Sequence, residues 1–189
     1  MKSGVFVVAP IEGPAREKIL EVQQWADPRL AAGSPPHVTM AGSSGAGPMP
    51  ADTRAERIRE LVASIARETE PITVRFERPH RFMQTDIVVL PIDPHGPLRT
   101  LHERIAGSGL RFERPRFPFS PHVTLSFYPR LLPTIERRLM AVRVEEAVVI
   151  ARVQFYLTLE LQVPRLLLDL ALGTSSSGLG TRDSGDIGK

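Results

Sequence analysis

Short apolar runs alternate along the chain with segments whose apolar residues recur every three to four positions. The run from Val5 to Val8 predicts a buried strand. Ile19, Val22 and Ala26 recur at helical spacing after Pro14, so residues 14–26 predict a helix. The same patterns predict further strands at 37–41, 72–77, 87–90, 166–172 and from 144 onward, and further helices at 53–67, from 97 and at 133–141. Such a mixture is typical of the α+β class.

The second half of the chain repeats the order of elements in the first. Residues 7–12 resemble residues 88–93, with a proline at the fourth position of each stretch. The tetrapeptide Pro-His-Val-Thr occurs at 36–39 and again at 121–124. Internal similarity of this kind indicates two similar lobes, which we expect to enclose a central cleft.

Composition separates the body of the chain from its end. We expect one two-lobed domain over residues 1–172, with motif halves at about 1–80 and 81–172 that share strands. Glycine and serine dominate residues 173–189. Such a segment cannot bury enough apolar surface to offset its ordering entropy, which predicts a disordered tail.

The overall composition is that of an ordinary globular protein. Hydrophobic residues make up 42% and charged residues 24% of the 189 residues, which excludes a wholly disordered or fibrous protein. The formal net charge is +3, and 21 of the 24 basic residues are arginine, whose planar fork suits phosphate. A charge of this size is too small to require nucleic acid, but it permits an anionic ligand.

Positive charge gathers around the second Pro-His-Val-Thr sequence. Four arginines and one acid, Glu113, lie between residues 111 and 130, for a local sum of +3. A phosphodiester ligand would favour this clustering, and a solvated loop is the alternative interpretation. The four arginines are Arg111, Arg114, Arg116 and Arg130.

The chain has no cysteine, which excludes disulfide scaffolds and thiolate metal sites and is typical of a reducing compartment. The first apolar run, Val5 to Ala9, is too short for a signal peptide, and no uncharged stretch approaches the roughly 20 apolar residues of a membrane span. We therefore expect a cytoplasmic protein with no membrane partner. His95 and His102 have no ligand pattern around them, so no metal site is expected. Residues 42–47 lack the Gly-Lys-Ser/Thr ending of a P-loop and predict a flexible loop.

The candidate chemistry lies in the two copies of His-Val-Thr. Residues i and i+2 of a strand share a face, so His37 lies beside Thr39 and His122 beside Thr124. The residue between them in each copy points into the core. A single His-x-Thr pair on a strand is most often structural. Two copies at matching places, each after a proline, indicate a functional site.

With these two motifs the sequence resembles the two-histidine phosphoesterase superfamily, which includes 2'-5' RNA ligase-like proteins and RNA cyclic phosphodiesterases. The family signature is a pair of His-h-Thr-h motifs, h being hydrophobic, one from each of two pseudo-symmetric lobes. The resemblance covers about residues 4–172 and implies lobes of antiparallel sheet with outer helices around a central cleft. It also implies that no metal or cofactor is needed and that four residues bracket one phosphate: His37, Thr39, His122 and Thr124.

The residue types agree with the chemistry that the resemblance implies. Opening a 2',3'-cyclic phosphate needs a base for water and an acid for the departing ribose oxygen, and histidine can serve as either near neutral pH. Which of His37 and His122 is the base stays open. Because the reverse steps would join ends, 2'-5' RNA ligase activity belongs to the same expectation. We expect a monomeric enzyme acting on RNA or nucleotides; a non-catalytic RNA- or nucleotide-binding module on the same fold is the alternative.

Three further residues are candidate substrate contacts. Tyr128 continues the strand face of His122 and would either stack on a base or pack on the rim of the sheet. Arg130 follows it and would either reach a phosphate or remain exposed. Phe82 lies in a polar loop at residues 78–85, where relatives often carry a phenylalanine near the cleft. The neighbours that make this loop cationic are Arg78, His80 and Arg81.

Overall fold

The computed structural model describes residues 3–127, 129–160 and 162–173. The disordered tail predicted from the sequence falls outside these residues, apart from its first glycine. The strands are β1 (Gly4–Pro10), β2 (His37–Ala41), β3 (Ile72–Val74), β4 (His80–Arg81), β5 (Val88–Pro91), β6 (His122–Ser126), β7 (Val148–Ile150), β8 (Arg152–Thr158) and β9 (Arg165–Ala171). The helices are α1 (Gly13–Ala26), α2 (Pro28–Gly33), α3 (Ala55–Arg67), α4 (Pro97–Ala106) and α5 (Pro133–Met140).

The strands form antiparallel sheets. A four-stranded sheet has the order β2-β1-β8-β9, a three-stranded sheet has the order β4-β5-β6, and β3 pairs with β7. The C-terminal strands β8 and β9 thus complete the sheet that β1 and β2 begin, so the two halves of the chain share strands. The predicted α+β class with antiparallel sheets is confirmed.

The internal repeat extends to the hydrogen-bond register. In the β1–β2 pair, Pro10 lies opposite His37 and Val8 opposite Thr39. A β-bulge interrupts this pair just beyond the threonine. The β5–β6 pair has the same bulge and the same register, with Pro91 opposite His122 and Val89 opposite Thr124. The two motifs are therefore presented by equivalent antiparallel strand pairs, each joined through a helical segment.

Helices α1 and α4 each pack near the motif strand of the other half of the chain. Helix α1 lies close to β6, and α4 lies close to β2. Their apolar faces are buried, including Ile19 of α1 and Leu101 of α4, and burial of one such side chain contributes about 1.5–3 kcal/mol. Within the described residues, no helix is both long enough and apolar enough to span a bilayer.

The glycine-rich segment after β2, predicted as a flexible loop, is instead packed into the fold. The N–H groups of Gly45 and Gly47 donate to the carbonyl oxygens of Phe117 and Glu113, at 2.9 and 3.0 Å. Gly45 has a φ of 71°, and a Cβ atom there would collide with the His102 ring. The prediction was wrong because these glycines permit close approach of neighbouring segments rather than freedom of the backbone.

Local structure also departs from the sequence pattern at two helix starts. Thr53 and Glu56 have the spacing of a capping box at the start of the helix predicted at 53–67, but Arg54 is the N-cap of α3 and no side chain caps that helix. The sequence pattern did not predict α2, which starts after Asp27, whose side chain caps it. The strand predicted at 72–77 is regular only over β3.

Candidate active site

The two His-x-Thr motifs lie on edge strands that approach one another. β2 is an edge of the four-stranded sheet and β6 is an edge of the three-stranded sheet. The two strands come within 8 Å of each other, measured between Cα atoms. On both strands the histidine and the threonine are half-buried, whereas the valine between them, Val38 or Val123, is buried. The predicted alternation of the motif residues is confirmed.

Each motif histidine is oriented by a backbone carbonyl two residues before it. His37 Nδ1 lies 2.8 Å from Pro35 O, and His122 Nδ1 lies 2.7 Å from Ser120 O. A carbonyl oxygen only accepts, so in both rings Nδ1 carries the proton and donates it. The lone pair of the neutral ring is then on Nε2, which is the atom left to exchange a proton. Ser34 Oγ adds a contact of 3.2 Å to His37 Nδ1.

The surroundings lower the pKa of both imidazoles. Burial lowers the pKa of His37 and outweighs the hydrogen bond to Pro35, which raises it. Burial is also the largest cause of the lowered pKa of His122; the hydrogen bond to Ser120 raises it, and the positive charge of His37 lowers it further. Because this last effect acts between the two side chains, His37 and His122 lie in one electrostatic environment and disfavour being charged together.

Thr39 and Thr124 share the half-exposed strand faces of their histidines. The bulge beyond each threonine changes the alternation, and the residue that follows it, Ala41 or Ser126, is buried. The half-exposed face of each motif strand therefore ends at its threonine. The structure brings together one imidazole and one hydroxyl from each half of the chain.

Phe82 packs edge-on against the ring of His122. Their ring centroids are 5.1 Å apart, and the ring planes make an angle of 88°. His80 in turn lies 6.1 Å from Phe82, also edge-on. Phe82 directly follows β4, which reaches the motif strand through β5. This loop therefore places an aromatic ring against the second motif, where it covers one side of the imidazole.

Arg81 does not supply the free positive charge that the sequence predicted. Its guanidinium donates to Glu136 at 3.1 Å and to Asp86 at 2.8 Å. Glu136 comes from α5, 55 residues further along the chain, so the sequence pattern around residue 81 could not reveal this partner. The two neighbours predicted to make the loop cationic with it, Arg78 and His80, are exposed.

Two predicted substrate contacts remain, Tyr128 and Arg130. Tyr128 lies outside the described residues. Arg130 is exposed. The other three arginines of the basic cluster are exposed as well: Arg111, Arg114 and Arg116. Within the described ranges, none of these three arginines or Arg130 takes part in an ion pair.

Two side chains that the sequence did not assign to the site hold the motif strands in place. Gln23 of α1 donates from Nε2 to Thr124 O at 2.7 Å. His102 of α4 donates from Nδ1 to Met40 O, also at 2.7 Å. Gln23 is 2% exposed and His102 is 4% exposed. Each motif strand is thus tied to a helix from the other half of the chain.

Helix periodicity carries a signal for both of these residues. Gln23 falls among the buried apolar positions of α1, and His102 falls among those of α4. A polar side chain at a position where the periodicity calls for an apolar one needs a buried hydrogen-bond partner. The periodicity thus marks both residues as structural or positioning groups, but it does not identify the partner.

The segment that leaves each motif strand contacts the segment that enters the other. After β6, the N–H of Phe127 donates to the carboxylate of Asp27 at 2.7 Å. After β2, the N–H of Gly45 donates to the carbonyl oxygen of Phe117 at 2.9 Å. These two contacts link parts of the chain that flank the motif strands; we call the space between the two strands the cleft.

The described part of the chain has no group of three or more His, Cys, Asp or Glu side chains arranged to hold a metal ion. His102, considered above for its unusual position, is engaged with a backbone carbonyl and stacks on Phe119, with ring centroids 4.0 Å apart.

Paired His-x-Thr strands on the edges of two antiparallel sheets define the class of two-histidine phosphoesterases, as the sequence predicts. The family model of the 2'-5' RNA ligase superfamily matches residues 11–159. The chain belongs to this superfamily.

Two curated proteins are similar to about half of the chain. A protein of Geobacillus kaustophilus, provisionally named a phosphoesterase, is 33% identical over 95 residues, which are 48% of this chain and 50% of that protein. A protein of Geobacillus thermodenitrificans with the same provisional name is 30% identical over 95 residues, with the same coverage. The matched stretch thus spans about half the length of the curated relatives.

Solved structures share the fold over most of the chain. LigT of E. coli complexed with phosphate has a TM-score of 0.56 and 17% identity, and the likeness covers 90% of this chain and 97% of LigT. The complex of LigT with 3'-AMP gives a TM-score of 0.57 and 19% identity, over 90% and 98% of the two chains. TT0787 of Thermus thermophilus gives 0.61 and 18%, over 89% and 97%. At these identities the likeness shows the fold.

Proposed function

We propose that the protein is a metal-independent phosphodiesterase that opens 2',3'-cyclic phosphate ends of RNA or nucleotides. His37 and His122 are the proton-transfer residues, and Thr39 and Thr124 bind the phosphate. The observation that supports this most strongly is the arrangement of the two histidines. Each ring is held through Nδ1 by a backbone carbonyl, which leaves Nε2 for proton transfer, and the positive charge of His37 lowers the pKa of His122. Since double protonation is disfavoured, the first proton taken up gives a pair with one neutral and one charged imidazole, which is the form that acid–base catalysis requires.

Hydrolysis adds one water molecule across one P–O bond. Nε2 of the neutral imidazole takes a proton from water while the water oxygen bonds to phosphorus. The bond from phosphorus to one ribose oxygen breaks, and the Nε2–H of the charged imidazole gives that oxygen a proton. With a ribose hydroxyl in place of water, related steps join two RNA ends, so 2'-5' ligase activity is part of the proposal.

The threonine hydroxyls stabilise the charge that develops on phosphate. Thr39 and Thr124 stand on strands whose register is set by neighbouring β1 and β5. Their β-branched side chains have few rotamers, so the hydroxyls are held before the substrate binds. Donors placed in advance toward non-bridging oxygens stabilise the transition state without reorganisation.

Nucleotides are the substrate class that the solved relatives support. LigT of E. coli has been crystallised with phosphate, 3'-AMP, NADP+ and ATP. Beside His122 this chain has the ring of Phe82, whose face can stack on a base. Tyr128 and Arg130 follow the second motif in sequence and complete the proposed substrate contacts.

The experiment is turnover of 2',3'-cyclic mononucleotides in the presence of EDTA. We expect the wild-type protein to be active, and His37→Ala and His122→Ala each to lose about 10²–10⁴-fold in kcat/KM. The matched control is His95→Ala, since His95 is exposed and its backbone, not its ring, holds the local contact with Asp93.

Two outcomes would overturn the proposal. Loss of all activity in EDTA, with recovery on adding a divalent metal ion, would show that the two-histidine mechanism is wrong. Tight nucleotide binding by the wild-type protein without turnover of any cyclic substrate would favour the alternative of a non-catalytic binding module.

A further inference from the structure

We propose that residues 111–117 bind the RNA strand that continues from the nucleotide in the cleft. This inference rests on the proposed function and deepens it, because it makes a polynucleotide end, rather than a free mononucleotide, the preferred substrate. The segment joins α4 to β6 and ends five residues before His122. We call it the entry segment.

The entry segment is held in a defined position beside the cleft. Glu113 pairs through its backbone with the segment leaving β2: its carbonyl accepts from Gly47 at 3.0 Å, and its N–H donates to Pro48 at 3.0 Å. The carbonyl of Phe117 accepts from Gly45. Five residues of fully extended chain reach at most about 18 Å, so Phe117 lies within that distance of His122. A strand bound in the cleft can reach it within a few nucleotides.

Free positive charge lines the entry segment. Arg111, Arg114 and Arg116 are exposed, and the structure shows no ion pair for them in the ranges it describes. By contrast, Arg81 and Arg104 are each paired with an acid. Guanidinium groups without a carboxylate partner are available to phosphate oxygens, with which they form charge-assisted hydrogen bonds.

An exposed aromatic ring stands at the end of this basic stretch. Phe117 is 65% exposed, although two residues further on Phe119 is buried and stacks on His102. The anchored backbone therefore displays one phenylalanine to solvent next to three arginines. Arginines that follow a phosphate backbone, together with an aromatic face for a base, are the combination that binds single-stranded nucleic acid. Charge alone would not explain the exposed ring.

The test compares two substrates in one triple variant, Arg111→Gln with Arg114→Gln and Arg116→Gln. For a short oligoribonucleotide ending in a 2',3'-cyclic phosphate, we expect KM to rise by about tenfold or more. For a 2',3'-cyclic mononucleotide, kcat/KM should stay within about twofold of wild type, because a mononucleotide has no continuing strand to occupy the entry segment. Arg59→Gln with Arg165→Gln, exposed changes on α3 and on the far edge strand β9, is the control.

Direct binding separates this inference from the proposed function. The probe is a fluorescent oligoribonucleotide with a terminal phosphate, titrated at several salt concentrations. For single strands, the logarithm of the binding constant falls with the logarithm of the salt concentration with a slope of about −0.7 per phosphate contact. The slope of the triple variant should therefore be less negative by about 2. Phe117→Ala should weaken binding by about tenfold with little change in that slope.

The outcomes are distinct. Equal binding of the probe by the wild-type protein and the triple variant would overturn the inference, and so would equal losses on the two substrates. If neither substrate is turned over by the wild-type protein, the proposed function fails. The loss of probe binding in the triple variant would in that case still support the entry segment as an RNA-binding surface.

Discussion

The buried imidazole of His102 donates its Nδ1–H to the carbonyl oxygen of Met40 at 2.7 Å, which ties α4 to the strand that carries His37 and Thr39. Met40 is the extra residue of the β-bulge in β2, where Val7 lies opposite Ala41 and Val8 opposite Thr39. The bulge withdraws Met40 from the regular pairing of the ladder, and the contact with His102 satisfies its carbonyl. The structure thus makes His102 a positioning residue for the first motif.

Replacing His102 should test that role. In His102→Leu the Met40 carbonyl loses its buried donor, which costs about 1–3 kcal/mol of stability, and the first motif loses its fixed position. We expect kcat to fall more than KM changes. In His102→Asn an amide N–H can replace the imidazole N–H, so part of kcat should return.

A control on the same helix separates positioning from lost stability. Ile105→Val removes one buried methylene from α4 and costs about 0.5–1.5 kcal/mol, while leaving the contact with Met40 intact. Its kcat should equal that of the wild-type protein when it is measured well below the unfolding temperature. If Ile105→Val loses kcat as His102→Leu does, the role of His102 is only structural.

The pH dependence of catalysis should be bell-shaped and shifted to acid. Burial lowers the pKa of both His37 and His122 from 6.5, and their mutual repulsion separates the two protonation steps. The singly protonated pair is therefore most abundant below about pH 6.5 in the free enzyme, which is the form that kcat/KM reports. Bound phosphate favours the imidazolium, so the kcat profile should lie at higher pH. A kcat/KM maximum on the alkaline side of neutrality would contradict this.

Removing one threonine hydroxyl should lower the rate without changing the shape of the pH profile. Thr39→Val and Thr124→Val keep the branched shape that suits a strand but delete a donor to the phosphate. We expect kcat/KM to fall on the order of 10²-fold. Thr73→Val, at an exposed position of β3 outside the cleft, is the matched control. Unfolding of the two motif variants, seen in thermal melts, would mean that these hydroxyls are structural.

Phe82 should affect the titration of His122 directly. In Phe82→Ala water reaches the side of the imidazole that the ring now covers, so the pKa of His122 should rise toward its ordinary value. NMR titration of the His122 ring measures the shift, and the kcat/KM profile should move to higher pH with it. Met83→Ala, a change at a neighbouring side chain that is 84% exposed, should leave both unchanged.

Stability should fall as the solution becomes acidic through the histidine range. Burial lowers the pKa of His102 in the folded protein below the 6.5 of the unfolded chain. Below about pH 6.5 the unfolded chain therefore binds more protons, and the free energy of unfolding drops with decreasing pH until the folded-state pKa is passed. His102→Asn should reduce this slope by up to about 1.4 kcal/mol per pH unit. Urea unfolding between about pH 7.5 and about pH 5 measures it.

The sequence predicted the local features of this fold, the strand alternation and the buried helix faces, because these depend on residues close together in the chain. A two-residue period places His37 beside Thr39 on any regular strand, and a 3.6-residue period marks the inner faces of α1 and α4. The glycine-rich segment after β2 shows the limit of such reasoning. Glycine permits both a mobile loop and close packing, and only the approach of His102 and Phe117 decides between them.

The sequence by itself determined that two equivalent strands each present an imidazole and a hydroxyl, since the duplicated Pro-His-Val-Thr pattern and its alternation are local properties. Tertiary structure alone decided that these two edge strands meet and that each Nδ1 atom finds a carbonyl. It decided as well that burial lowers the pKa of both histidines and that the positive charge of His37 lowers the pKa of His122 further. It also decided that Glu136 neutralises Arg81 while the entry-segment arginines stay exposed. Periodicity specifies the face on which a side chain lies. The partner on that face comes from elements far apart in the chain, and it depends on how the whole core packs.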